Sequence, residues 1–307
     1  MNNLSILGIF VADLAFFGKI PKVGETILGK EFVVGPGGKG SNQSVAAGKA
    51  GASVEFITKI GNDDYGKMAL KTYKETNVGT KNVFESDQHS TGVAAILLDK
   101  ETGQNAISVV PGAAGELTIK DIDKAKDTIT NSSIFLTQLE APMNVVSHAL
   151  KIAKENNVTT ILNPAPAAKL DKEIFSLVDY FTPNETEASF YIDGEINTVE
   201  DAKEYAQSIL NLGVKNVLIT LGEKGVYFFN KDESHFEPAL DLKNQVVDTS
   251  GAGDAFNGAF ATALCEGKPI IESIKFANCF AGISTTRIGT ANSMPNRAEI
   301  EKMLKII

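Results

Sequence analysis

Cysteine is scarce in this 307-residue chain: only Cys265 and Cys279 occur, both in helix-like stretches and without metal-ligand spacing. Two such residues supply neither a disulfide framework nor a thiolate zinc site, and they read as small core residues in a reducing compartment. Histidine is nearly as rare. His89, His148 and His235 fall in a loop, a helix and a strand, apart from every motif described below. There is no Gly-x-Ser-x-Gly elbow, so hydrolase and metalloenzyme readings lose their usual sequence support. Positive charge is in deficit, with 29 Lys+Arg against 38 Asp+Glu and a net charge of −9. A chain of that balance without basic clusters is a poor partner for phosphate backbones, which argues against nucleic acid as a ligand. Long apolar runs are missing too. Ile6 to Ala12 falls far short of the roughly 20 residues needed to span a bilayer, and no basic leader precedes it. A soluble cytoplasmic protein with no membrane partner is expected.

Hydrophobic residues make up 43% and charged residues 22%, an ordinary globular balance that excludes a disordered chain. Short β-branched runs alternate with helical patterns. Strands are expected over Leu4–Phe10, Val54–Thr58, Ile134–Thr137, Thr159–Leu162, Tyr180–Thr182 and Val217–Thr220, with helices over Tyr65–Glu75, Asn144–Asn156 and Thr198–Leu212. Such alternation predicts an α/β fold with a mostly parallel sheet covered on both faces, and ligands at the carboxyl ends of its strands. Two stretches break the rhythm. Gly24–Val34 and Ser90–Val110 read as short strands without intervening helices, which would form a separate small sheet able to cover a site. No repeat or long Pro/Ser linker divides the chain. One domain over 1–307 is expected, with a β lid built from about 11–35 and 90–110.

Four motifs carry the chemistry. Gly35, Gly37 and Gly40 satisfy G-x-G-x-x-G between a strand and a helix, the dinucleotide fingerprint by letter. They are not on the first strand, and Glu55 stands poorly for the fingerprint's acid. Gly40 also sits where a Walker A loop needs Ser or Thr. What survives is a helix start with bare N–H groups, plus Lys39, Asn42 and Gln43 as donors for a polyhydroxylated ligand. The second motif, Asp248-Thr-Ser-Gly-Ala-Gly-Asp254, leads into a long helix, so the amides of Gly251, Ala252 and Gly253 can converge on an anion. Asp254 in the first helical turn is either a capping acid or a base placed to take a proton from an attacking hydroxyl. Thr182-Pro-Asn184-Glu-Thr-Glu187 is a capping box at a strand end, or a polar pair able to hold Mg²⁺ and phosphate oxygens. Thr220-Leu-Gly222-Glu-Lys-Gly225 is a hairpin or a nucleotide contact.

Together these motifs resemble the ribokinase family of sugar and nucleoside kinases, as does Leu162-Asn-Pro-Ala-Pro166, and the resemblance runs almost end to end. It implies a three-layer αβα sandwich with a small β-sheet lid that also serves as a homodimer interface. Asp13 would bind sugar hydroxyls with Gly38, Lys39, Gly40, Ser41, Asn42 and Glu140, and Asp254 would accept the hydroxyl proton. Gly251, Ala252 and Gly253 would form the anion hole. Asn184 and Glu187 would organise Mg²⁺ through water. Thr220, Leu221, Gly222, Glu223, Lys224, Gly225, Gly253 and Asn278 would hold the nucleotide. A K⁺ site would be built from Asp248, Ser250, Ser284, Arg287, Gly289 and Ser293, largely through carbonyls.

One position departs from the family pattern. Val11 stands two residues before Asp13, where ribokinases usually carry Asn. The implied activity is ATP-dependent phosphorylation of the primary hydroxyl of a pentose, D-ribose first, with Mg²⁺ and K⁺ as cofactors. 2-Deoxyribose, another sugar and nucleosides stay open as acceptors. A nicotinamide-dependent oxidoreductase built on Gly35, Gly37 and Gly40 is the rival from another class, and a non-catalytic sugar sensor is a third reading.

Overall fold

Leu4, Ile6 and Leu7 have no exposed surface, so the strand they form is covered on both faces and belongs at the centre of a sheet. The computed structural model describes residues 3–99, 101–102 and 104–306, and places that strand, β1 (Asn3–Leu7), between two parallel neighbours. Lys100 and Gly103, inside the expected lid stretch, and the outermost residues of the expected 1–307 domain lie outside the described residues. The remaining strands are β2 (Val11–Phe17), β3 (Glu31–Gly37), β4 (Ser53–Gly61), β5 (Val78–Ser86), β6 (Thr91–Leu98) and β7 (Asn105–Gly112). They continue with β8 (Ile134–Thr137), β9 (Thr159–Leu162), β10 (Tyr180–Phe181), β11 (Asn216–Thr220), β12 (Gly225–Phe229) and β13 (Ser234–Pro238).

The large sheet has nine strands in the order β13-β12-β11-β10-β9-β8-β1-β4-β5. All pairings from β11 to β5 are parallel, while β12 and β13 extend it as an antiparallel edge. Alternate residues point to opposite faces, and the two cores follow that parity. Val217 and Ile219 pack with the helices Met143–Glu155 and Val199–Leu210. Leu218 between them packs on the other face with the helices Lys39–Ala50, Ala252–Cys265 and Ile270–Ser284. Each fully buried Leu, Ile or Phe in these layers contributes roughly 1.5–3 kcal/mol. Two of the helices meet with almost no side chain between them. A Cβ built on Gly258 would lie 2.4 Å from the carbonyl oxygen of Gln43 and 2.7 Å from Cβ of Ala46.

The expected strand over Leu4–Phe10 ends early, at Leu7. Gly8 marks the cause: a Cβ there would sit 2.7 Å from Cα of Gly40, so the chain must pass without a side chain. Beyond it the backbone leaves for a second sheet, although its residues stay apolar. That four-stranded sheet has the order β3-β2-β6-β7, with β2 and β6 parallel and the outer pairs antiparallel. Strand structure before Val34 begins only at Glu31; residues 24–30 are irregular and largely exposed. Phe16 packs against Phe32, the rings tilted by 35° with centroids 4.8 Å apart, yet the two remain 42% and 54% exposed. Val34, Ile107 and Val110 are exposed on the same sheet. Among the described residues no helix is long and apolar enough to cross a membrane.

Candidate active site

The helix Ala252–Cys265 starts from Gly251, whose φ of 75° is the left-handed conformation that favours glycine. A Cβ on Gly253 would meet nothing within 4 Å, so the first turn opens onto free space. Ala252 is less available than expected, since its amide donates to the Thr249 carbonyl at 3.2 Å. Asp254 is buried, and both its oxygens are held. Gln43 Nε2 donates to Oδ1 at 3.0 Å, and Asn42 Nδ2 donates to Oδ2 at 2.9 Å. Burial raises its pKa; the Lys39 ammonium and the two amides lower it, without cancelling the rise.

Three more charged groups surround this carboxylate. Asp13 stands on β2, above Gly37, where an added Cβ would lie within 2.1 Å of its carboxylate. Burial, followed by the charge of Asp254, pushes Asp13 up to about 6 against a hydrogen bond from Thr290. Glu140, just beyond β8, accepts the backbone amide of Lys39 at 2.8 Å. Burial pushes it up to about 7 although Lys39 lowers it, with Asp254 and Asp13 adding to the rise. Burial alone would lower the Lys39 pKa, but Asp254, Glu140 and Glu187 together raise it, so Lys39 is the cation these carboxylates share.

Of the G-x-G-x-x-G glycines Gly37 and Gly40 serve this close packing, with Gly38 between them, whereas Gly35 has room for a side chain. Gly37 lies beneath Asp13, Gly38 turns at φ 88° against the Ile9 carbonyl, and Gly40 meets Gly8. Two expected sugar contacts are taken up by the interior: Gly40 abuts Gly8, and the Ser41 hydroxyl accepts from Tyr73 at 3.2 Å. Asn42 keeps a buried Oδ1 without a partner, an acceptor suited to a hydroxyl.

Beside Asp254 runs a cleft of about 170 Å³, lined by Lys39, Asn163, Thr182, Asn184, Glu187, Thr220, Thr249, Asn257 and the segment Gly251–Asp254. Asn163, Thr182 and Thr220 lie at the carboxyl ends of β9, β10 and β11, where ligands of parallel sheets bind. Asn184 and Glu187 cap one helix reciprocally, at 2.8 and 3.0 Å, while lining the cleft. Capping and ligand readings therefore coexist.

The other expected nucleotide contacts lie apart. Leu221 is fully buried and Gly222–Lys224 form a turn into the β11–β12 hairpin, with Glu223 and Lys224 exposed. Gly225 needs its missing side chain, because a Cβ would stand 2.1 Å from the Glu237 carbonyl. The Asn278 amide donates to the Pro238 carbonyl at 2.6 Å. None of these residues lines the cleft.

Asp248 joins two loops. Its Oδ1 accepts from the Ser250 amide and its Oδ2 from the Gly289 amide, both at 2.9 Å. The hydroxyls of Ser284 and Ser293 donate to the carbonyls of Ala281 and Thr290 at 2.7 Å, and Arg287 pairs with Glu299. Among the described residues no group of three or more His, Cys, Asp or Glu could hold a metal.

The family model for pfkB family carbohydrate kinases matches residues 1–297. The chain belongs to the pfkB family of carbohydrate kinases. It is a phosphotransferase acting on a sugar hydroxyl. It is similar to the ribokinase of Haemophilus influenzae, 38% identical over 307 residues and covering 99% of each chain. The deoxyribokinase of Salmonella typhi is 33% identical over 306 residues, again covering 99% of each. Among solved structures, Thermotoga maritima ribokinase matches with a TM-score of 0.88 and 41% identity, covering 98% of this chain and 99% of that one. Arabidopsis thaliana ribokinase complexed with ribose and ATP matches with a TM-score of 0.91 and 31% identity, covering 98% of each.

For a carbohydrate kinase the site holds residues that the motif reading passed over. Gln43 reads only as a ligand donor and Asn163 only as a letter of Leu162-Asn-Pro-Ala-Pro166, while Gln138 stands in none of the four motifs. Nothing local shows that the three side chains point at one another. Thr290 and Asn257 lay in no motif. The Thr290 hydroxyl reaches the Pro36 carbonyl across loops that only the fold brings together, while the Asn257 amide donates back one turn of its own helix to the Gly253 carbonyl. His148 and His235 are paired with Asp123 and Glu237, and no histidine lines the cleft.

Proposed function

We propose that this carbohydrate kinase transfers the γ-phosphoryl group of ATP to the primary hydroxyl of a pentose, with D-ribose as first choice. The observation that carries it is Asp254, buried at a glycine-led helix start where the Asp13–Glu140–Asn42 cluster meets the cleft. The hydroxyl donates to Asp254, which takes its proton as the oxygen bonds to phosphorus and the bond to the ADP oxygen breaks. Amides of the Gly251–Gly253 turn receive the charge on the phosphoryl oxygens, and Lys39 adds a fixed cation. Mg²⁺ bound with ATP supplies charge neutralisation, with Glu187 and Asn184 as the residues that would hold it through water. The test is ADP release with D-ribose, 2-deoxyribose, fructose and nucleosides in the presence of ATP, Mg²⁺ and K⁺. Failure of every acceptor, or binding of NAD instead, would overturn the reading.

Val11 favours 2-deoxyribose as a second acceptor. It is 2% exposed within an apolar cluster that includes Ile9 and Ala94, so position 11 offers no amide to be left unpaired by a missing hydroxyl. A deoxyribokinase among the relatives supports the same choice. Appreciable turnover of both sugars is expected, with an apolar contact discriminating by about 10²-fold at most. Val11→Asn should shift kcat/KM toward ribose. An unchanged ratio would mean that this side chain does not read the sugar.

K⁺ is proposed to bind carbonyls around Asp248, Ser250, Ser284, Arg287, Gly289 and Ser293. It would order the loop before Gly251 without touching substrate. Turnover should be higher in KCl than in a bulky organic cation at equal ionic strength; equal rates would remove the site. The apolar side chains of the small sheet are proposed to pack against a second copy of the chain. Phe32→Lys should then convert a dimer to a monomer in sedimentation, and a wild-type monomer would sink the idea.

A further inference from the structure

Beneath the anion hole, a ring of buried amides and hydroxyls leads from Asp254 back to its neighbour Gly253. Gln43 Nε2 donates to Asp254 Oδ1 and to Asn163 Oδ1, each at 3.0 Å. Asn163 Nδ2 donates to the Thr182 carbonyl at 3.0 Å, and the Thr182 hydroxyl donates to Asn257 Oδ1 at 2.6 Å. Asn257 Nδ2 closes the ring on the Gly253 carbonyl at 2.8 Å. Gln43, Asn163, Thr182 and Asn257 are all buried.

The Gln43 amide has only one workable orientation. Its Oε1 accepts from Gln138 Nε2 at 2.5 Å, and both hydrogens of Nε2 are committed. A flip would set its oxygen against two acceptors and its nitrogen against a donor. The two oxygens of Asp254 are thereby made unequal. Oδ1 is tied to a rigid interior network, while Oδ2 is paired only with Asn42, which also carries the unpartnered Oδ1.

We infer that Gln43 is a positioning residue for Asp254, holding Oδ1 so that Oδ2 is the oxygen presented to the sugar hydroxyl. The inference rests on Asp254 being the base. Gln43 acts through that carboxylate in two ways: it fixes the carboxylate plane, and its hydrogen bond favours the ionised form needed for proton abstraction. Charged groups facing Asp254 are Lys39 on the helix that carries Gln43, Asp13 on β2, Glu140 after β8 and Glu187 on the capped helix. Lys39 favours the ionised form and the three acids oppose it, so loss of the Gln43 donor leaves Lys39 and Asn42 to hold the charge.

The test is the pH dependence of kcat/KM in Gln43→Met, which keeps the side-chain length and donates nothing. Loss of a hydrogen bond to a charged group should move the acidic limb up by about 1–2 pH units, with kcat at neutral pH down by about 10-fold or more. In an Asp254→Asn background the same change should cost little further rate, because its target is gone. Where the methionine variant does not fold, Gln43→Glu keeps the shape and the acceptor for Gln138, and it should move the limb in the same direction. An unmoved limb in a folded variant, or rate losses that multiply with Asp254→Asn, would overturn the inference while leaving Asp254 as base. Near-normal turnover of Asp254→Asn alone would overturn the base itself.

Discussion

Asp254→Asn is expected to lower kcat by about 10²- to 10⁴-fold, the range for loss of a positioned general base. The substitution keeps the side-chain volume and removes the carboxylate that would accept the hydroxyl proton. It also turns one oxygen into an NH₂ group facing Asn42 Nδ2 or Gln43 Nε2, so the local hydrogen bonding suffers as well. Sugar affinity should change much less, since Asp13, Lys39 and Glu140 remain. Steady-state ADP release resolves the two constants. Turnover within a few-fold of the wild type would reduce Asp254 to a carboxylate that only favours the positive end of its helix.

Asp13→Asn should do two things at once. The kcat/KM for sugar should fall by about 10- to 100-fold, the cost of a lost hydrogen bond to a charged group. The ligand-free protein should nevertheless melt higher at pH 8. Folding raises the Asp13 pKa from 3.8 to about 6. The native chain therefore binds more protons than the unfolded one between those values, and stability falls as pH rises through that window. Glu140, pushed up to about 7, has the same sign and extends the window upward. Neutralising Asp13 lifts its own burden and its repulsion with Asp254. A gain of roughly 1–2 °C corresponds to about 1 kcal/mol in a domain of this size. The gain should shrink toward pH 4, where Asp13 of the wild type is already protonated. Calorimetry at pH 4 and pH 8 checks the pattern; an equal or lower melting temperature for the variant at pH 8 would contradict it.

Much of this was legible before any coordinates. Strands buried on both faces read as unbroken apolar runs, and the glycine-led starts of the helices Lys39–Ala50 and Ala252–Cys265 stood out by letter. The boundary at Leu7 did not, because Ile9 and Phe10 are as apolar as the strand before them. Only the contact between Gly8 and Gly40 ends it. Residues 24–30 carry isolated apolar side chains that mimic a strand, yet Leu28 is 96% exposed and pairs with nothing in the sheet. Capping and binding could not be separated at Asn184 and Glu187, since the same atoms do the first while lining the cleft. The Gln43 network was out of reach for a different reason. Its partners come from residues 138, 163 and 254, and no local pattern records which amide faces which.

The bare crossing at Gly258 sets the spacing of the two helices that carry Asn42, Gln43 and Asp254. Asn42 and Gln43 ride on one helix and Asp254 on the other, and where the helices touch there is no side chain at Gly258 to act as a cushion. In most cores a shift of half an ångström is absorbed by rotamers that give way. Here backbone rests on backbone, so the distance from the Asn42 and Gln43 amides to the Asp254 carboxylate is set by atoms that cannot rotate out of the way. Reaction rates are steeply sensitive to such distances. A side chain at position 258, one turn beyond Asp254, would act as a shim between the two helices.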